Sequence, residues 1–237
     1  MTTKLVPSNA RGKADYGWLQ ANYSFSFANY HDPERHQFGA LRVLNDDIIA
    51  AGMGFGTHAH HDMEIITIPL EGSLSHKDSM GNHGTISFGE VQVMSAGSGI
   101  QHSEMNASQD KAVKLLQLWV FPEKNNVVPR YSQKMFDLNQ QINTFVNIVS
   151  PENQNDGIAL WVHQQTFFNL GVFDGGVTIN YDLKIINNGV FLFLIDGEIQ
   201  IEQHTLTSKD ALEVTDCKQI AIHIVKKSKI LLIEVPM

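Results

Sequence analysis

Short apolar or alternating stretches rich in Val, Ile and Phe recur along the whole chain, with turn signals about every 8–12 residues between them. Long runs with helical spacing are scarce. Strands so short and so regularly interrupted are stabilised by pairing with their neighbours, and the architecture that this predicts is all-β, a sandwich or barrel. Strands are expected over 63–70, 73–77, 83–88, 91–94 and 113–121, with a second set over 146–149, 159–162, 167–173, 190–195, 198–202 and 230–235. Asp196-Gly197 reads as a hairpin turn between two of these strands. One helix is expected, over 132–142. The polar, proline-bracketed run from Pro122 to Pro129 marks a surface excursion near a linker, which divides the chain into 1–134 and 135–237.

The 237 residues carry 17 basic against 25 acidic side chains, a net charge of −8. A field of that sign repels phosphate backbones and anionic membrane, so direct nucleic-acid binding is disfavoured. A single cysteine, Cys217, can form no internal disulfide, which points to a reducing compartment. The amino terminus lacks the apolar core of a signal peptide. The longest apolar run, 190–195, is far shorter than the ~20 residues a membrane-spanning helix needs. A soluble, cytoplasmic protein is the expectation.

Histidine distribution supplies the chemistry. Of the 11 histidines, six (His58, His60, His61, His76, His83 and His102) fall between positions 58 and 102. Residues two apart on a strand project from one face, roughly 6–7 Å apart along the chain, so His58 and His60 can approach one metal ion. His102-Ser103-Glu104 repeats that spacing after an intervening set of turns. Three imidazoles and one carboxylate would fill four positions of an octahedral ion and leave two for water, dioxygen or a chelating substrate. Glu64 is the rival carboxylate, with the strand parity of His58 and His60. It lies six residues from His58, about 20 Å along a straight strand, which favours Glu104 as ligand and leaves Glu64 a supporting or pocket role. His61 points away from His60 on a regular strand, and His76 and His83, flanking Met80-Gly81-Asn82, suit a hairpin surface. Phe55, Met94 and Trp119 are candidates for an apolar wall beside the ion.

The run from Gly52 through His58-Ala59-His60 and Glu64 to Gly72, with His76-Lys77-Asp78-Ser79, and Gly89 through Gly97 and Gly99 to His102-Ser103-Glu104, resembles the pirin family. The likeness is close over 29–130 and looser to the closing Leu-Leu-Ile-Glu-Val-Pro. It implies a bicupin, two tandem cupin-type β-barrels, with metal in the amino-terminal barrel only and with His58, His60, His102 and Glu104 as ligands. His163, His204 and His223 lack such pairing, so the second barrel is expected to be metal-free. Relative to the broader cupin pattern, one extra residue lies between Glu64 and Gly72, and His102 comes two residues late. Both are pirin features. The resemblance further implies one divalent ion, Fe(II) by redox analogy, in a ligand set that Zn, Ni, Co, Mn or Cu would also accept. In its length and closing residues the chain is similar to short bacterial pirin-like quercetin dioxygenases. That implies ring opening of a flavonol with O2, Glu104 taking the substrate proton. A metal-binding regulatory protein acting through protein partners is the alternative. Near the carboxyl end, Ser208-Lys209-Asp210-Ala211 occupies a turn where the family often has Gly-Asp-Ala.

Overall fold

A computed structural model describes all residues, Met1–Met237. It is built of antiparallel strands with three single-turn 3-10 helices, and no helix is long and apolar enough to cross a membrane. Residues divide into two compact units, one of Gly12–Phe136 with Val162–Gln164, the other of Met1–Arg11, Asp137–Trp161 and Gln165–Met237.

The first unit has two sheets. A seven-stranded sheet runs in the order Arg130–Met135, Glu90–Ser95, Glu64–Glu71, Val113–Val120, Leu41–Ile49, Leu19–Tyr23, Gly12–Asp15. A four-stranded sheet follows the order Gly54–His60, Ile100–Asn106, Ser73–Asp78, His83–Ser87. Leu19, Ala21, Tyr23, Ile49, Val113 and Leu115 of the larger sheet pack in one cluster with Leu74 and Ile86 of the smaller, which identifies the inner face of each. Side chains alternate along a strand, so this cluster also decides which neighbours share the interior.

The second unit is one nine-stranded sheet centred on two long partners, Gly189–Ile201 and Gln219–Val235. Its interior is filled by Phe173, Val190, Leu192, Leu194, Ile199, Leu212, Ile222 and Leu232, a solid apolar core. His204 and His223 lie outside that core, each hydrogen-bonded to a threonine, Thr3 and Thr178.

Three local expectations are overturned. Residues 132–135 belong to the strand Arg130–Met135, paired with Glu90–Ser95, and Leu138–Gln140 forms only a single 3-10 turn. Pairing along a sheet edge outweighs the weak helical pattern there. Asp196-Gly197 makes no hairpin. It sits inside Gly189–Ile201 at register shifts against Gln219–Val235, and a Cβ at Gly197 would lie 2.2 Å from Ser228 Oγ, so the glycine permits close strand approach at a bulge. The chain reverses instead at Glu202, whose φ is +49°. Finally, Met1–Arg11 does not group with the half that follows it. Thr2–Val6 pairs with Ala211–Thr215, and the Ser8 N–H donates to Asp210 Oδ1 at 2.7 Å, so the first strand completes the carboxyl-terminal sheet.

Lys209 occupies the turn position where the resembling family often carries glycine, and its φ is +74°. An L side chain in that region is strained by roughly 1–2 kcal/mol. Asp210 holds the turn by accepting from the Thr207 N–H and hydroxyl, and the Lys209 ammonium lies 5.9 Å from the centre of the Phe193 ring. Lys209→Gly is therefore expected to stabilise by about 1 kcal/mol, the relieved strain exceeding a cation–π contact of about 0.5 kcal/mol. Denaturant titration of the two proteins checks this, and an unchanged or lower midpoint would contradict it.

Candidate metal centre

Gly54–His60 and Ile100–Asn106 are antiparallel neighbours in which His58 stands directly opposite His102. The register then slips by one residue, and Glu104 stands opposite Phe55. Gly54 makes this bulge possible, because a Cβ there would lie 2.2 Å from the Glu104 carbonyl oxygen. On its other side Ile100–Asn106 pairs with Ser73–Asp78, setting His102 opposite Asp78 and Glu104 opposite His76. One face of the small sheet thus gathers His58, His60, His102, Glu104, His76 and Asp78.

The three predicted imidazoles meet there. Ring centres are 4.4 Å apart for His58 and His102, 4.8 Å for His60 and His102, and 4.9 Å for His58 and His60. Their ligand nitrogens lie within 4.8 Å of one another. Glu104 joins through a second set, His76, His102 and Glu104, also within 4.8 Å, so His102 belongs to both. Burial depresses the His60 imidazole to about 4, with His58 adding to the effect, and depresses His102 to about 3, with His58, His60 and His76 adding. Both rings are neutral near pH 7 and present lone pairs to a cation without first releasing a proton.

The His102 ring is only 2% exposed, yet neither of its nitrogens has a hydrogen-bond partner. An unsatisfied buried polar atom costs about 1–3 kcal/mol. A donor set whose central imidazole is bare at both nitrogens is suited to a metal ion. His58 fits the same reading: its Nδ1 lies 2.8 Å from the Gly56 carbonyl, which can only accept, so Nδ1 carries the proton and Nε2 is left for ligation. Glu104 is buried, and its oxygens accept from Gln117 Nε2 at 2.8 Å and Thr67 Oγ1 at 3.4 Å. Burial raises its pKa above the ordinary range, while those donors and nearby His76 and His58 pull the other way.

His76 departs from the surface role expected of it. It is 2% exposed, its ring centre is 5.5 Å from that of His102, and its Nε2 lies 3.1 Å from Asp78 Oδ2. Burial works to raise the Asp78 carboxyl, but hydrogen bonds from Asn82, His76 and Met80 outweigh it and hold the group below its usual value. The spacing His76-x-Asp78 repeats the signal of the other two pairs and could have been read from it. His83 is exposed at the hairpin, and His61 is exposed with its Nδ1 3.0 Å from Asp62 Oδ2.

Glu64 lies away from the interior. Thr67 faces inward to Glu104, and Glu64, three residues earlier on the same strand, projects from the other face, where it accepts from Ser95 Oγ at 2.7 Å. The parity it shared with His58 is broken between His60 and Met63, where Asp62 adopts a φ of +46°.

A cavity of about 380 Å³ opens beside the cluster, near the lower end of the ~300–1,000 Å³ of small-molecule sites. His58, His60 and Glu104 form one wall, and Tyr16, Trp18, Tyr23, Phe27, Phe55 and Trp119 supply aromatic faces and edges. Phe55 and Trp119 therefore line it as expected, whereas Met94 is fully buried beside Ile65 and Ile100. Asn45, Asp47 and Gln117 also line it and were not foreseen. Burial raises the Asp47 carboxyl to about 8, helped by Asp46 and Glu104.

One unit with an imidazole cluster on its inner face, and another filled with apolar side chains, make up the two halves of a bicupin. The chain belongs to the pirin family: residues 5–120 match the pirin domain, and residues 147–235 match the quercetinase C-terminal cupin domain. It is 41% identical over 233 residues to the quercetin 2,3-dioxygenase of Escherichia coli (strain K12), covering 98% of each chain. With a pirin-like protein of Caulobacter vibrioides it shares 35% over 228 residues, 96% of this chain and 97% of the other. The bacterial pirin YhhW of Escherichia coli, crystallised in complex with nickel(II), superposes with a TM-score of 0.93 at 39% identity, covering 99% of both chains.

Proposed function

We propose that this protein is a metal-dependent dioxygenase that opens the central ring of a flavonol such as quercetin with O2. The observation that carries the reading is the aromatic-walled cavity that ends on an imidazole cluster lacking hydrogen-bond partners at its centre. Relatives named quercetin 2,3-dioxygenase support the choice of substrate. His58, His60, His102 and Glu104 would hold one divalent ion, iron(II) in the working enzyme, and the nickel(II) complex of YhhW supports a site for a divalent ion of this kind. Such an ion would supply Lewis acidity to a substrate chelating through its 3-hydroxyl and 4-carbonyl oxygens.

The chain's own groups do the rest. Trp119 and Phe55 flank the histidines, Trp119 edge-on to His60 at 4.9 Å, and can clamp flat rings while excluding water. Glu104 is the base that accepts the 3-hydroxyl proton, since its carboxylate lies at the cluster and lines the cavity. Gln117 and Thr67 hold its carboxylate in position. His76, tied to Asp78, backs the cluster from the neighbouring strand.

The test is oxygen uptake and carbon monoxide release on mixing quercetin with protein loaded with iron(II), and with the same protein stripped by chelator. Metal-dependent consumption of both substrates is expected, with CO formed in step. Binding of quercetin without oxygen uptake under any divalent metal would overturn the enzymatic reading in favour of a binding protein.

A further inference from the structure

The strand Leu41–Ile49 carries three consecutive polar residues, Asn45-Asp46-Asp47, in an otherwise largely apolar stretch, and all three are buried. Alternation turns Asn45 and Asp47 inward and Asp46 outward. Asn45 stands opposite Gln117, the residue that holds Glu104, and opposite Tyr23 on the other side. Asp47 stands opposite Leu115 and Ala21. Both line the cavity, on the sheet facing the one that carries the histidines.

Asn45 is 3% exposed and Asp47 4%, and the Oδ1 atom of each has no hydrogen-bond partner. A buried acceptor left unsatisfied works against folding. Val43 and Ile49, at the same parity on the same strand, show what packing alone favours there. Two oxygens kept at a cost to stability, on residues that line a ligand cavity, mark a place where the ligand supplies the missing donors. The Asn45 amide oxygen accepts, and Asp47 keeps an accepting oxygen in either protonation state, so the complementary ligand atoms are hydroxyl donors.

We propose that Asn45 and Asp47 are specificity-determining residues that accept hydrogen bonds from phenolic hydroxyls of the substrate other than its chelating oxygens. The inference rests on the flavonol reading above and narrows it to polyhydroxylated flavonols. Such a wall discriminates strongly against analogues lacking the hydroxyl, because they would leave its acceptors unpaired in the complex.

The experiment compares quercetin, hydroxylated on both outer rings, with 3-hydroxyflavone, which keeps only the chelating pair. Equilibrium binding is followed by flavonol absorbance, without oxygen, on metal-loaded wild type and on Asn45→Leu and Asp47→Leu. Wild type should prefer quercetin by about tenfold or more, the worth of one or two hydrogen bonds. Each variant should lose most of that preference, quercetin affinity falling at least about fivefold and 3-hydroxyflavone far less. Melting temperature should hold or rise in Asn45→Leu, since an unsatisfied acceptor is removed. A structural role would lower it instead. Should Asp47→Leu fail to fold, Asn45→Leu carries the comparison, and Asp47→Asn, which keeps an accepting oxygen, should retain the preference. Preference unchanged in the leucine variants overturns this inference and leaves the flavonol reading standing. Failure of wild type to bind either compound overturns both.

Discussion

His102→Ala is expected to abolish metal binding, while His83→Ala leaves it at the wild-type level. His102 is the one side chain shared by the two potential ligand sets, and it faces His58 directly across the strand pair. Removing it leaves His58 and His60 on one strand and Glu104 with His76 on two others, with no imidazole joining them. Loss of a supporting group around a metal typically reduces affinity about 10–100-fold, so loss of this central ligand should exceed 100-fold. Two measurements check it. Elemental analysis after dialysis should find about one ion per chain in His83→Ala and almost none in His102→Ala. Metal at 100 times its Kd should stabilise wild type and His83→Ala by about 2.7 kcal/mol, and this gain should vanish in His102→Ala. Equal metal content in the two variants would remove the site assignment.

How much of this was legible in the sequence differs between the pairs and their surroundings. His58-x-His60 and His102-x-Glu104 were readable because a period of two is local, and the strand pairing that joins them keeps the parity of each. His76 was misplaced for a different reason. Its neighbour Met80-Gly81-Asn82 signals a turn correctly, but which face of a hairpin is buried depends on the partner strand, here Ile100–Asn106, and no local pattern states that. The same limitation hid Asn45 and Asp47. A run of three polar residues within a largely apolar strand reads as a break, and it proves continuous only because Val113–Val120 and Leu19–Tyr23 pair along both its edges. Parity misled at Glu64, where a turn at Asp62 resets the strand, and Asp196-Gly197 misled because a tight-turn dipeptide also suits a bulge. Thr2–Val6 finds its partner more than two hundred residues away, a contact of the least local kind.

Glu104→Gln is expected to slow turnover by at least about 10²-fold, the lower end of what a positioned general base contributes. It should still bind flavonol and retain part of the metal. The reasons lie in the contacts. Gln117 Nε2 donates to the Glu104 carboxylate at 2.8 Å, while the Thr67 hydroxyl, 3.4 Å from it, has its shorter contact, 3.0 Å, with Gln117 Oε1 and can accept from an amide. A glutamine can therefore sit in the same place with its oxygen still available as a weak ligand, beside three unaltered histidines. What it cannot do is take the 3-hydroxyl proton. Glu64→Gln is the control, for Glu64 projects from the opposite face of its strand and bonds Ser95, so its loss should be felt in stability and hardly in turnover. Single-turnover oxygen consumption at matched metal occupancy separates the two variants, since it removes differences in metal affinity and product release. A dead Glu64→Gln beside a nearly normal Glu104→Gln would reverse the carboxylate assignment. A Glu104→Gln that binds no flavonol at full metal occupancy would instead make Glu104 a group that positions the substrate before any proton moves.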